Sequence, residues 1–160
     1  MVDDDAGTRD AIDRTIDFVK RATAAPYQAA LRRALPEAAA AAHVITEEFG
    51  LAATEYANVL ASRPDDLRLR LSYGEALLGD KQYAAACSEF DRLRGKGLGP
   101  RDLGLPAARA CLLKGDSAAA VAWLQTIPKR FLPPTLQQDS AFAALWSRAD
   151  FRALFQPLNH

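Results

Sequence analysis

The chain reads as all-α, a row of short helices folded back on each other in pairs. Three observations carry that reading. Apolar and small residues recur at intervals of three and four, short polar or glycine-containing breaks interrupt them, and the pattern returns after a fixed shift along the chain. The stretch from Leu67 to Pro100 shows this most clearly. Leu67, Leu69, Leu71, Tyr73, Gly74, Ala76 and Leu77 lead through a Gly79-Asp80 break into Tyr83, Ala86, Cys87, Phe90 and Leu93. This predicts an αα-hairpin, with Gly74 and Ala86 as the small residues where two helix axes approach.

A shift of about 34 residues carries Gly74 onto Ala108, Leu77 onto Cys111, Ala86 onto Ala120, Cys87 onto Val121, Phe90 onto Leu124 and Leu93 onto Ile127. The same shift backwards reaches Ala40, His43, Ala52, Ala53, Tyr56 and Val59. Small lands on small and large apolar on large apolar, with His43 the exception. With Gly74, Tyr83, Ala86 and Phe90 at the spacing of its glycine, aromatic, alanine and aromatic, the chain resembles the tetratricopeptide repeat (TPR) family. Three units cover residues 33–66, 67–100 and 101–134. The large aromatic that the family carries early in each first helix is replaced by Pro36, Arg70 and Gly104. The resemblance implies a right-handed α–α superhelix of about three hairpins with an N-terminal helix and a C-terminal helical cap. The alternative is a non-repetitive bundle whose alanine-rich helices match the period by chance.

At 160 residues the chain fits one domain and can bury a substantial core. Hydrophobic residues at 49% and charged ones at 25% favour neither disorder nor a membrane class. Twenty basic and 20 acidic side chains cancel, so the global charge points to no nucleic-acid partner. No apolar run approaches the roughly 20 residues of a membrane span, and Met1-Val2-Asp3-Asp4-Asp5 is the opposite of a basic signal-peptide start. A cytoplasmic protein without membrane insertion is expected.

In order, residues 1–7 form an expected mobile acidic tail, followed by a single helical domain over 8–158. Thr8 can cap a helix carrying Ile12, Ile16 and Val19, with Asp10 early and Lys20 and Arg21 late, as the helix dipole favours. The N-terminal helices (8–32) are expected to pack on the first repeat, with a swapped arm as the alternative. Pro26 can open a helix through Tyr27, Leu31 and Leu35, which Pro36 should break or restart. Alanines then run to about Thr46, and His43 among them is expected to be a hydrogen-bonded structural residue rather than a ligand. Phe49 to Leu60 gives the next helix, stopped at Ser62-Arg63-Pro64-Asp65. Cys87 and Cys111 are expected to be small core residues rather than a disulfide or a catalytic thiol.

Gly95-Lys96-Gly97-Leu98-Gly99-Pro100 lacks the glycine-lysine-serine/threonine ending and the preceding strand of a phosphate-binding loop. The basic cluster around it (Arg92, Arg94, Lys96, Arg101) is expected to be a solvated turn, with an anionic partner segment as the alternative. Asp116-Ser117 opens a helix with Val121, Trp123, Leu124 and Ile127. Trp123 stands where earlier repeats place Glu55 and Glu89, a position expected to face outward and to be covered here by the C-terminal segment. Residues 135–158, with Phe142, Leu145, Trp146, Phe151, Leu154 and Phe155 and with Asp139 or Ser140 as a cap, should form one or two capping helices.

Neither a nucleophile elbow, a dinucleotide glycine motif, a metal-ligand spacing nor a paired-carboxylate pattern tied to a pocket is present. No catalytic, cofactor or metal residues are assigned, and an enzyme is the least favoured class. In a TPR-like array the first helix of each repeat lines a concave groove. By period, that groove should present Ala41, Val44 and Ile45, then Arg68, Leu71, Glu75 and Leu78, then Leu105, Arg109, Leu112 and Leu113. The places where family members clamp a C-terminal carboxylate hold Glu37, Ala41, Leu71 and Glu75, which do not suit that clamp. An apolar groove suits a peptide or helix of a partner protein with two or three hydrophobic anchors. The expected function is therefore a non-catalytic adaptor, scaffold or chaperone-like module. The alternatives are a self-associating homodimeric module and, on architecture alone, a chaperone similar to those of type III secretion translocators.

Overall fold

Three turns of one backbone shape set the architecture. The structure, a computed structural model, describes Arg14, Asp17 and residues 35–156. The expected acidic tail and, apart from helical Arg14 and Asp17, the N-terminal helices lie outside the described residues. Among the described residues every regular element is helical: α1 (Pro36–Ile45), α2 (Phe49–Ser62), α3 (Leu67–Gly79), α4 (Tyr83–Leu93), α5 (Pro100–Leu113) and α6 (Ser117–Thr126). Each of the first five packs on the next, so α1/α2, α3/α4 and α5/α6 are hairpins and α2/α3 and α4/α5 are the joints between them. Among the described residues no helix is long and apolar enough to cross a membrane.

Local chemistry explains the boundaries. Pro36 and Pro100 occupy the first turns of α1 and α5, where the missing amide costs nothing. Asp66 accepts from the amide of Leu69 at 3.0 Å to open α3, and Asp116 accepts from that of Ala119 at 2.9 Å to open α6. Inside each hairpin the first helix ends on a left-handed residue: Glu47, Lys81 and Gly115, with φ of 59°, 62° and 96°. In each case the following amide reaches back to close the helix, Glu48 to the carbonyl of His43 at 2.8 Å, Gln82 to Leu77 and Asp116 to Cys111 at 2.9 Å. This is the Schellman closure, and it recurs at intervals of about 34 residues.

Packing keeps the same interval. Ala40, Gly74 and Ala108 on the first helices and Ala52, Ala86 and Ala120 on the second are all buried, as are Tyr56, Phe90 and Leu124 behind them. The small residues bring the helices together and the large ones supply buried area, about 1.5–3 kcal/mol per fully buried large apolar side chain. At Gly74 a Cβ would stand 2.8 Å from Cε1 of Phe90, so the ring occupies the space that glycine vacates.

Two expectations fail here. The charged position at Glu89 does not face outward, because Glu89 is buried, whereas Trp123, expected to be covered, is 1% exposed. Glu89 tolerates this by accepting from Arg70 at 2.8 Å and Arg92 at 2.6 Å. Trp123 has the guanidinium of Arg94 stacked over its ring, 3.6 Å from the centroid.

The C-terminal segment is also not one or two capping helices. After a 3-10 turn at Lys129–Phe131, within the expected third unit, it folds as two more 3-10 turns, Pro134–Gln137 and Ser140–Leu145, followed by the one-turn helix α7, Ala149–Ala153. Pro128, Pro133 and Pro134 lack the amides that a continuous helix would use. Asp139 caps the third turn by accepting from the amide of Ala141 at 2.9 Å. The covering role survives the change of backbone, since Leu136, Phe142, Leu145, Phe151 and Leu154 are all buried in the same core as the hairpins.

Candidate functional site

A depression crosses the first helices of the second and third hairpins. One lobe, of about 450 Å³, is lined by Glu75 and Leu78 of α3, by Leu105, Pro106 and Arg109 of α5, and by Pro133, Thr135, Leu136, Asp139 and Phe142 of the cap. A second, of about 410 Å³, shares Glu75, Leu78 and Arg109 and continues to Phe49, Gly79, Lys81, Tyr83 and Leu113. Because Glu75 and Arg109 recur at one place of the repeat, the groove carries an acid on one helix and a base on the next. Its apolar surface comes from Leu78, Leu105, Pro106, Leu136 and Phe142. Pro106 stands inside α5, where it adds a rigid apolar ring to the wall without offering an amide.

Glu75 is exposed at the groove wall, yet partial withdrawal from solvent raises its pKa above the ordinary glutamate value. Tyr56, on the adjoining α2, has its phenol pKa raised by burial, opposed by a hydrogen bond with Ser72 and reinforced by the charge of Glu75.

Of the eleven residues expected in the groove, Glu75, Leu78, Leu105, Arg109 and Leu113 line it, whereas Ala41 is exposed outside both lobes. Leu71 and Leu112 do not line it: both are buried in the hydrophobic core at 8% and 9% exposure. α3 and α5 each pack against the second helix of their own hairpin and that of the preceding one, which leaves a narrower free arc than a single amphipathic stripe suggests. Val44, Ile45 and Arg68 are exposed but line neither lobe. The sequence reading missed the cap's contribution from Pro133 to Phe142.

His43 is buried, and its Nδ1 lies 2.8 Å from Oε2 of Glu48, in keeping with a structural role. Within the basic cluster, Arg92 pairs with Glu89 and Arg94 with Asp91, while Arg101 stands over the ring of Phe131 at 5.4 Å.

Cys87 and Cys111 overturn the expectation of separate core thiols. They form a disulfide joining α4 to α5, with a Cα–Cα distance of 5.0 Å and a sequence separation of 24. In the chain-entropy model, closing a loop of that size removes about 3.5 kcal/mol of unfolded-chain entropy. The same interval leads from Ala53 to Leu77 and from Val121 to Leu145, both pairs buried.

No family model, curated protein or solved structure matches the chain.

Proposed function

We propose that the chain is a TPR-like, non-catalytic interaction module that holds a peptide segment or helix of a partner protein in the groove between α3, α5 and the cap. The observation that carries this reading is the pair of lobes sharing Glu75, Leu78 and Arg109. Their apolar walls can take two or three hydrophobic anchors, while Glu75 and Arg109 can fix the direction of an extended backbone or select flanking charges. The three Schellman-closed hairpins and the small-residue positions at one interval support the TPR-like reading. A cytoplasmic location belongs to the same proposal, and there the Cys87–Cys111 pair would be held reduced.

Leu78→Asp and Leu105→Asp test the groove, since both side chains are only partly buried. Leu71 and Leu112 are unsuitable because an aspartate there would disrupt the core. In a pull-down from host lysate with mass spectrometry, a prey retained by the wild type should be lost with either substitution while circular dichroism stays helical. Retention of that prey by both variants would refute the groove assignment.

A second reading, self-association, is favoured by the exposed apolar side chains of the first hairpin, Leu35, Val44, Ile45 and Leu51. Light scattering decides it. A dimer mass that Ile45→Glu reduces to a monomer would support a homodimeric module.

A further inference from the structure

We propose that Cys87 and Cys111, once reduced, form with Asp91 a site for one thiophilic divalent metal ion of the zinc class. Cys87 and Asp91 stand four residues apart on α4, so their side chains leave one face of that helix. Cys111 enters from α5, packed against it. One ligand atom from each of the three residues lies within 4.8 Å of the others, and Asp91 Oδ2 is 4.0 Å from Cys87 Sγ. A tetrahedral ion with bonds of about 2.3 Å to sulfur and about 2.1 Å to carboxylate oxygen holds its donors roughly 3.5–3.8 Å apart. The carboxylate oxygen already stands close to that spacing from Cys87 Sγ, while the two bonded sulfurs must part on reduction to reach it.

The donor set selects the ion. Two thiolates and one carboxylate suit zinc and disfavour magnesium and calcium, which take oxygen ligands. The cysteines are buried and Asp91 is exposed, so the carboxylate marks the side on which the ion and a fourth, water ligand enter. Two thiolates and a carboxylate carry three negative charges against two on the ion. Arg94 Nη2 donates to Asp91 Oδ1 at 3.1 Å, which offsets the remaining charge and leaves Oδ2 turned toward Cys87.

The disulfide and the metal site exclude each other. Thiol–disulfide exchange with a dithiol reductant opens the bond: the reductant becomes a disulfide, and two electrons and two protons pass to the sulfurs of Cys87 and Cys111. Metal binding then displaces both thiol protons to solvent, so affinity falls as the solution is acidified.

The test uses the full chain reduced with a water-soluble phosphine under anaerobic conditions and titrated with cobalt(II) alone, then with zinc. One equivalent of cobalt per chain should bind with a thiolate-to-cobalt charge-transfer band that zinc abolishes, and the disulfide form should show no such band. Cys111→Ser should eliminate the band, and Asp91→Asn, at an exposed position, should weaken binding about tenfold or more with the helical signal unchanged. The proposal is overturned by a reduced wild type without the band, whether or not it stays helical. It is equally overturned by Asp91→Asn binding as tightly as the wild type, or by half an equivalent of metal bound together with a doubled mass.

Discussion

Arg70 Nη1 donates to Glu89 Oε2 at 2.8 Å across the middle hairpin. Arg70 also donates through Nη2 to the carbonyl of Pro64 at 2.7 Å, so one side chain ties the start of α3 both to α4 and to the turn that leaves α2. The side chain of Glu89 is 10% exposed while that of Arg92, its other partner, is 63% exposed. Removing Arg70 leaves a buried carboxylate short of a partner, whereas removing Arg92 leaves water to replace it. Arg70→Ala should therefore cost about 2–3 kcal/mol and Arg92→Ala under about 1 kcal/mol. Urea midpoints of the two variants check the order.

The closeness of Gly74 to Phe90 makes a test of packing alone. Gly74→Ala should destabilise by about 1–3 kcal/mol, because the new Cβ meets the ring at 2.8 Å. Adding Phe90→Leu should recover part of that loss, and a double-mutant cycle measures the coupling. Strict additivity of the two substitutions would mean that ring and glycine do not share the space.

Two of the three left-handed turn residues, Glu47 and Lys81, are not glycine. A side chain in that conformation costs about 1–2 kcal/mol, partly regained by glycine's larger entropy loss on folding. Lys81→Gly should stabilise by about 0.5–1 kcal/mol, and Gly115→Ala should destabilise by a similar amount. Thermal denaturation of both variants gives the sign.

Glu75 predicts a pH dependence. Its folded-state pKa is raised by burial, so the folded chain binds this proton more tightly than the unfolded one does. The ionised side chain therefore weakens the fold above the folded pKa, and the penalty disappears as pH falls through that value toward the ordinary one. Glu75→Gln should be more stable than the wild type at pH 7 by a few tenths of a kcal/mol, the exposed position limiting the effect. The difference should vanish near pH 4, as urea titrations at the two values would show.

Much of the fold was legible because small residues are chosen by close approach. Gly74, Ala86 and their equivalents at one interval gave the helix pairs, and Pro36 and Asp116 gave two of the starts, while the cap Asp66 and the first-turn Pro100 were not read as starts. The shared turn shape was hidden because Glu47 and Lys81 do not advertise a left-handed backbone as Gly115 does. Leu71 and Leu112 were misplaced because periodicity identifies an apolar stripe without saying how much of it a second neighbour covers. The disulfide was missed for a related reason. Alignment along the chain compared each cysteine with its equivalents, while the bond lies across a joint. In the cap, an interval of three such as Phe142 to Leu145 fits a 3-10 turn and an α-helix equally well.

The two tryptophans sit in opposite surroundings. Trp123 lies under Arg94 at 1% exposure, while Trp146 is 40% exposed and donates through Nε1 to the carbonyl of Leu136 at 3.4 Å. The molecule thus carries two intrinsic fluorophores, one shielded inside the last hairpin and one open to a dissolved quencher on the cap. With Trp146→Phe, emission reports the array alone; with Trp123→Phe, it reports the cap. Peeling of the cap from the hairpins can then be followed optically without attaching a label.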